Sequence, residues 1–258
     1  MAPSIKNINI LPDSAAVNLA LATHCLEVSE QAIADKGSFH LALAGGSTPR
    51  SFYNFLATSE FAQRIDWPYT HIYFGDERSV APEHADSNYL MAREALLDKV
   101  NIPKNQIHRM HGDHQDLQQS AIEYAQLLCS SIPVTKNNFP EFDLILLGLG
   151  PDGHTASLFP ETDILQESNA VVAAVYVEKI QTWRISLSYP TIENAKHVVM
   201  LVTGGNKAEI IHDILHGVSK NPPYPTQRLQ EKGILNWFLD AEAARLITDL
   251  VYDADTGC

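Results

Sequence analysis

The chain has 258 residues, 45% of them hydrophobic and 19% charged, with 31 acidic against 18 basic side chains and a formal net charge of −13. That is apolar mass enough for one large α/β core, while the negative balance argues against a nucleic-acid backbone or an anionic membrane surface as partner. A small phosphorylated ligand stays possible, because a few converging cations suffice to hold one.

The opening MAPSIKNINILPD lacks the apolar core of a signal peptide, and no apolar run approaches the length of a membrane span. Cys25, Cys129 and Cys258 are odd in number and far apart, with no C-x-x-C. Both features predict a reduced, cytoplasmic compartment without a disulfide framework or zinc–thiolate site. Ala15, Leu19, Ala22, Leu26 and Ile33 recur at helical spacing, so 14–36 is predicted as an amphipathic helix ending before Gly37. Phe39 to Ala44 reads as a strand running into Gly45-Gly46, and Ser51 to Thr58 as a helix. A second strand, Ile72 to Phe74, ends in Gly75-Asp76-Glu77-Arg78; segments 87–99 and 116–130 read as helices.

Segment 142–147 reads as a strand, in which Leu144 to Leu147 form an unbroken apolar run covered on both faces. Val171 to Val177, Trp183 to Leu187 and His197 to Thr203 are further strands, and helices near 206–216 and 241–250 close the chain. Asn221-Pro222-Pro223-Tyr224-Pro225 reads as a stiff connection. Strands alternating with helices predict an α/β fold, a doubly wound, mostly parallel sheet flanked by helices. With no repeat, low-complexity tract or linker to divide it, a single domain over 1–258 is expected.

Ligand sites in such sheets collect at the carboxyl ends of the strands, and three of those ends are marked by glycines and polar residues. The segment FDLILLGLGPDGHTASLFP, Phe142 to Pro160, carries Asp152 and His154 on a loop with Gly148, Gly150 and Gly153. An imidazole, whose ordinary pKa lies near about 6.5, is suited to take a proton near neutrality, and a neighbouring carboxylate fixes its tautomer. Ala44-Gly45-Gly46-Ser47-Thr48-Pro49-Arg50 reads as a phosphate cradle at a helix start, at Pro49 or just after; a plain capped helix would read the same way. In Asp76-Glu77-Arg78, Arg78 is a candidate anion ligand and Asp76 a candidate orienting group. Arg184, in a strand, and Lys207, after Gly204-Gly205, are cations in glycine-marked or strand-like contexts.

Two further patterns imitate known sites. Gly148-x-Gly150-x-x-Gly153, with Glu178 further on, matches the dinucleotide fingerprint, but Pro160 cuts the following helix short and Asp152 and His154 occupy the pyrophosphate turn. His108, His111 and His114, with Asp113 and Asp116, look like a metal cluster, yet their spacing fits neither a one-face helix pair nor a zinc motif. A polar loop is the reading there.

Taken together, the segments resemble the 6-phosphogluconolactonase family of the glucosamine/galactosamine-6-phosphate isomerase superfamily. The matching pieces are Gly45-Gly46-Ser47-Thr48-Pro49, Asp76-Glu77-Arg78 with Ser87-Asn88, and the block from Gly148 to Pro160. Arg184-Ile185-Ser186-Leu187 and Gly204-Gly205-Asn206-Lys207 complete them, and the tail around Trp237-Phe238-Leu239-Asp240 is also similar. The resemblance implies a Rossmann-like fold and hydrolysis of 6-phospho-D-glucono-1,5-lactone to 6-phosphogluconate, the second step of the oxidative pentose phosphate pathway.

It implies no metal or organic cofactor, with a phosphorylated sugar lactone as partner and a monomer or small homo-oligomer. His154 would be the general base towards water, and Asp152 would orient the imidazole or the water. Arg78 or backbone amides would stabilise the oxyanion, and Gly45, Gly46, Ser47, Thr48, Arg184 and Lys207 would hold the 6-phosphate. The chain departs from the family before Arg184, where Glu178-Lys179-Ile180-Gln181-Thr182-Trp183 replaces the usual proline-rich stretch. Glucosamine-6-phosphate deaminases share the fold, but their block typically carries glutamate where this chain has Phe159, and usually tyrosine where it has Arg78. A non-catalytic sugar-phosphate sensor is the other alternative, although such regulators add a DNA-binding module for which this chain has no spare segment.

Overall fold

The computed structural model describes residues 7–135 and 137–247. β1 (Ile8–Leu11) leads into α1 (Ser14–Lys36). Asp13 caps that helix, accepting from the Ala16 N–H at 2.8 Å, and Gly37 ends it in the left-handed region at φ 79°, a conformation that carries no Cβ penalty for glycine. β2 (Phe39–Leu43) is buried at every position and is followed by α2 (Ser47–Leu56) and α3 (Ser59–Arg64). β3 (Thr70–Phe74) passes through Gly75 directly into β4 (Asp76–Arg78).

α4 (Asn88–Ala92) continues as one π-helical turn, Arg93–Leu97, closed by the Asp98 N–H on Arg93 O. Then come α5 (Leu117–Ser131), β5 (Leu144–Leu147), β6 (Val172–Val177), β7 (Thr182–Leu187) and α6 (Tyr189–Glu193). β8 (His197–Val202), α7 (Ala208–Leu215), α8 (Pro225–Glu231) and β9 (Leu235–Asp240) complete the described chain.

Six strands form one all-parallel sheet in the order β1-β9-β8-β5-β2-β3. The chain leaves β2 for β3 on one side, and leaves β5 for β8 on the other. The order therefore reverses between β2 and β5, opening a crevice at their carboxyl ends. β4, β7 and β6 form a separate antiparallel sheet of three. Gly75 is the hinge between the sheets: its N–H bonds to Leu43 O of β2 at 2.9 Å, and its carbonyl accepts from Leu187 of β7 at 2.9 Å.

The doubly wound parallel sheet stands as expected, with several boundaries moved. The helix expected at 51–58 begins four residues earlier, at Ser47, because Gly46 (φ 104°) turns the chain into it. The helix expected at 87–99 widens into its π turn after Ala92. The helix expected at 241–250 is, over its described part, a run of turns. There Asp240 accepts from the Ala243 N–H at 2.8 Å and, with both carboxylate oxygens, from the Gly204 N–H at 3.0 Å, which binds the chain back to the turn after β8; residues 248–250 lie outside the described residues. β1, β4 and β9 were not among the strands expected from the sequence.

The apparent metal cluster comes apart. His108 stacks on Tyr73 (centroids 4.6 Å) and on His71 (5.6 Å), whereas His114 is turned onto the Asp116 N–H at 2.9 Å. Among the described residues, no group of three or more His, Cys, Asp or Glu converges as a metal site would. His71 in turn stacks on the buried His40 (5.1 Å), which touches Tyr73 Oη at 3.2 Å. Burial, then the charge of Lys36, pushes His40 down to about 3; burial and the field of His71 push His108 down to about 4, and burial lowers His71.

Each of the three binds its proton less readily folded than unfolded. The stability tied to their neutral forms is complete above the unfolded value near about 6.5 and is lost as pH falls through about 4 and on towards about 3. We expect the midpoint of thermal unfolding to drop steeply below about pH 6, and His40→Gln to flatten that slope. Equal slopes in the two proteins would exclude the histidine column as the cause.

Candidate active site

The crevice between β2 and β5 is a cavity of about 310 Å³, within the range of small-molecule sites. Three strand-end loops and the β4 strand wall it. The turn after β2 supplies Gly45, Gly46, Ser47 and Thr48, β4 supplies Asp76 and Arg78, the loop after β5 supplies His154 to Ser157, and the turn after β8 supplies Lys207. Arg184 enters from β7. Nine of the ten residues singled out in the sequence thus line one cavity, and the tenth, Asp152, stands behind His154.

His154 Nδ1 lies 2.5 Å from Asp152 Oδ1, and Lys179 Nζ lies 2.8 Å from Asp152 Oδ2. Burial pushes the Asp152 carboxyl up, but the hydrogen bonds from His154 and Lys179 outweigh it and hold the group well below the usual carboxylate range. The imidazole stacks on Phe159, centroids 3.9 Å apart and planes at 22°. With Nδ1 committed to a carboxylate, the lone pair of the neutral ring is on Nε2, the tautomer a proton acceptor needs. Gly150 makes room for the ring: a Cβ there would lie 2.1 Å from His154 Cε1 and Nδ1.

Asp76 spends both oxygens on its neighbours, Oδ1 accepting from Asn88 Nδ2 at 3.2 Å and Oδ2 from Ser157 Oγ at 2.7 Å. It thereby ties β4 to the loop that carries His154. Glu77, buried behind it, accepts from the N–H groups of Arg78, Asn88 and Tyr89 and from Ser87 Oγ at 2.7–3.1 Å. Burial pushes its carboxyl up against those donors. Asn88 fills the space above Gly45, where a Cβ would meet its Oδ1 at 1.9 Å.

The cations converge. Arg78 and Arg184 are direct cross-strand partners in the β4–β7 ladder, an arrangement that is unfavourable for like charges unless an anion sits between them. Arg78 donates to Asp86 O, and Arg184 Nη1 to Trp183 O at 2.9 Å. Burial and then the charge of Arg78 lower the proton affinity of Arg184; burial does the same for Lys207, whose Nζ donates to Leu149 O at 2.8 Å. Thr48 Oγ1 meets Thr203 Oγ1 at 3.2 Å.

A family model described as glucosamine-6-phosphate isomerases/6-phosphogluconolactonase matches residues 12–237. The chain belongs to that family. It is 38% identical over 238 residues to a 6-phosphogluconolactonase of Nostoc, covering 92% of this chain and 97% of that one. The identity to the 6-phosphogluconolactonase of Synechocystis is 40% over 213 residues, 83% of this chain and 86% of the other. The structure of 6-phosphogluconolactonase from Trypanosoma brucei superposes with a TM-score of 0.81 at 29% identity, over 93% of this chain and 97% of that one. Among the described residues no helix is long and apolar enough to cross a membrane.

Sequence reasoning gave no role of their own to Lys179, Asn88 and Ser157, although Ser87-Asn88 and the block containing Ser157 were among the pieces that carry the resemblance; nothing in the chain announced that residue 179 would reach residue 152.

Proposed function

We propose that the chain hydrolyses 6-phospho-D-glucono-1,5-lactone to 6-phosphogluconate, in the oxidative branch of the pentose phosphate pathway, by general-base activation of water. The observation that carries this reading is His154, held 2.5 Å from Asp152 behind it and lining a cavity shared with three cations. His154 Nε2 takes a proton from water as its oxygen bonds to the lactone carbonyl carbon. The carbonyl oxygen then carries the negative charge, stabilised by Arg78 and backbone N–H groups. As the ring C–O bond breaks, the imidazolium returns the proton to the departing ring oxygen, and the product is a hydroxy acid.

Asp152 holds the tautomer and Asp76 fixes the loop. Ser47, Thr48, Arg184 and Lys207 hold the 6-phosphate beside Gly45 and Gly46. A lactone is an activated ester that opens slowly by itself, so one positioned base suffices and no serine or cysteine nucleophile is required. Phe159 on the face of the imidazole favours this reaction over amino-sugar isomerisation, because an apolar ring stands where a deaminase would carry a carboxylate. Cys25 and Cys129 are free thiols, in keeping with a reducing, cytoplasmic setting.

The test is acid release in a pH-stat from freshly generated lactone. A rate no higher than the spontaneous one sinks the proposal, and ammonia release from glucosamine 6-phosphate would replace it with the deaminase. Arg184→Ala should raise KM by about 10- to 100-fold, the worth of one charge-assisted hydrogen bond, with kcat within about threefold. A fall in kcat at unchanged KM would move Arg184 from the phosphate to the reacting centre.

A further inference from the structure

Asp152 has two carboxylate oxygens, and the loop it belongs to engages only one of them, through His154. A carboxylate held at one oxygen can still rotate about its Cβ–Cγ bond. The second oxygen is held from another part of the fold: Lys179 sits in the single 3₁₀ turn, Glu178–Ile180, that joins β6 to β7, and Gln181 closes that turn in the left-handed region at φ 47°. Just inside it, Tyr176 and Trp183 are cross-strand partners with ring centroids 5.5 Å apart, which stiffens the hairpin. The hairpin that presents Arg184 to the cavity therefore also reaches round to the rear of the base.

We propose that Lys179 is a positioning residue for the hydrolysis, clamping Asp152 Oδ2 so that Oδ1 stays on His154 and moderating the negative field that His154 experiences. The proposal rests on the reading of His154 as the general base. The Lys179 side chain is 65% exposed, so the pair adds little to stability by itself; its weight lies in orientation and in the field. The other charged groups facing His154 are Asp152 on its own loop, Lys207 from the turn after β8, Asp76 and Arg78 from β4 and Arg184 from β7. All of them persist when Lys179 is replaced, so a change in the titration of His154 reports on Lys179.

The experiment compares wild type, Lys179→Met and Lys179→Arg in two measurements: the NMR titration of the His154 ring, and the pH profile of kcat/KM for the lactone. Without the ammonium, Asp152 acts on the imidazolium unopposed. The titration midpoint should rise by about half a pH unit and the acid limb should move with it, lowering kcat/KM by about threefold at acid pH. Lys179→Arg should restore both. A Lys179→Met midpoint equal to wild type overturns the proposal, including where kcat falls evenly at every pH, since the lysine would then only support the hairpin. A midpoint that rises while the acid limb stays in place instead removes His154 as the base, and with it the catalytic role of Lys179. Absence of lactonase activity in the wild type is a separate result, because it strikes the proposed function while the titration still reads the clamp.

Discussion

His154→Ala is expected to lower kcat/KM for the lactone by about 10²- to 10⁴-fold, the range supplied by one positioned general base, while leaving thermal unfolding close to wild type. The activity falls because water loses the one imidazole that, among the described residues, lines the cavity. Neither Lys207, bonded to Leu149 O, nor Asp76, with both oxygens engaged, is placed to accept the proton instead. The fold should survive, since the ring is partly exposed and lies on a loop rather than in the core. Asp152→Asn separates the parts of the pair: the amide can still touch Nδ1 but no longer offers a charge to the imidazolium, so the loss should resemble that of His154→Ala in kcat with KM little altered. Full activity in His154→Ala would refute the base assignment without touching the family.

Gly150→Ala should cost about 10²-fold in kcat with almost no change in stability. The added methyl would lie 2.1 Å from the His154 ring, inside any real contact distance. A ring can swing aside on χ1 and χ2, so the folded state is barely penalised; the backbone at Gly150 is not in the left-handed region, and alanine is sterically permitted there. But the ring that swings aside leaves Asp152 Oδ1, and misplacing a reacting group by about 1 Å is enough for a hundredfold loss. A crystal structure of Gly150→Ala should show the imidazole rotated off Asp152. If kcat is unchanged, or if the ring has not moved, the need for glycine at 150 lies elsewhere. Gly153→Ala is a useful contrast: its φ of 75° and a Cβ 2.5 Å from the Tyr224 ring should reduce stability as well as activity.

How much of this was legible beforehand depends on what each residue answers to. α1 was read to the residue and β5 to within two residues of its start, because their signals are local: a helical repeat ended by Gly37, and an apolar run with glycines behind it. β1, β4 and β9 were not assigned. β4 is three charged or polar residues, Asp76, Glu77 and Arg78, that form a strand only because β7 offers them a ladder. β1 is four residues long and pairs with β9 at the far end of the chain. Over its described part, 241–247, the helix expected at 241–250 is a run of turns in which Asp240 holds both the Ala243 and the Gly204 N–H groups.

The chemistry was legible because it depends on residue types held close in sequence. Asp152 and His154 are two positions apart on a glycine-bearing loop, which makes their contact a local matter, and composition alone pointed away from nucleic acid. The sequence by itself therefore determined the alternating fold and the pairing of His154 with Asp152 on a glycine-bearing loop. Convergence was decided by the tertiary structure. The reversal of strand order between β2 and β5 gathers three distant loops and β4 around one crevice. The β4–β7 register sets Arg78 against Arg184, and the β6–β7 hairpin carries Lys179 to Asp152. Those pairings follow from hydrogen-bond ladders between strands far apart in the chain, and a ladder's register belongs to two segments at once, so neither segment read alone contains it.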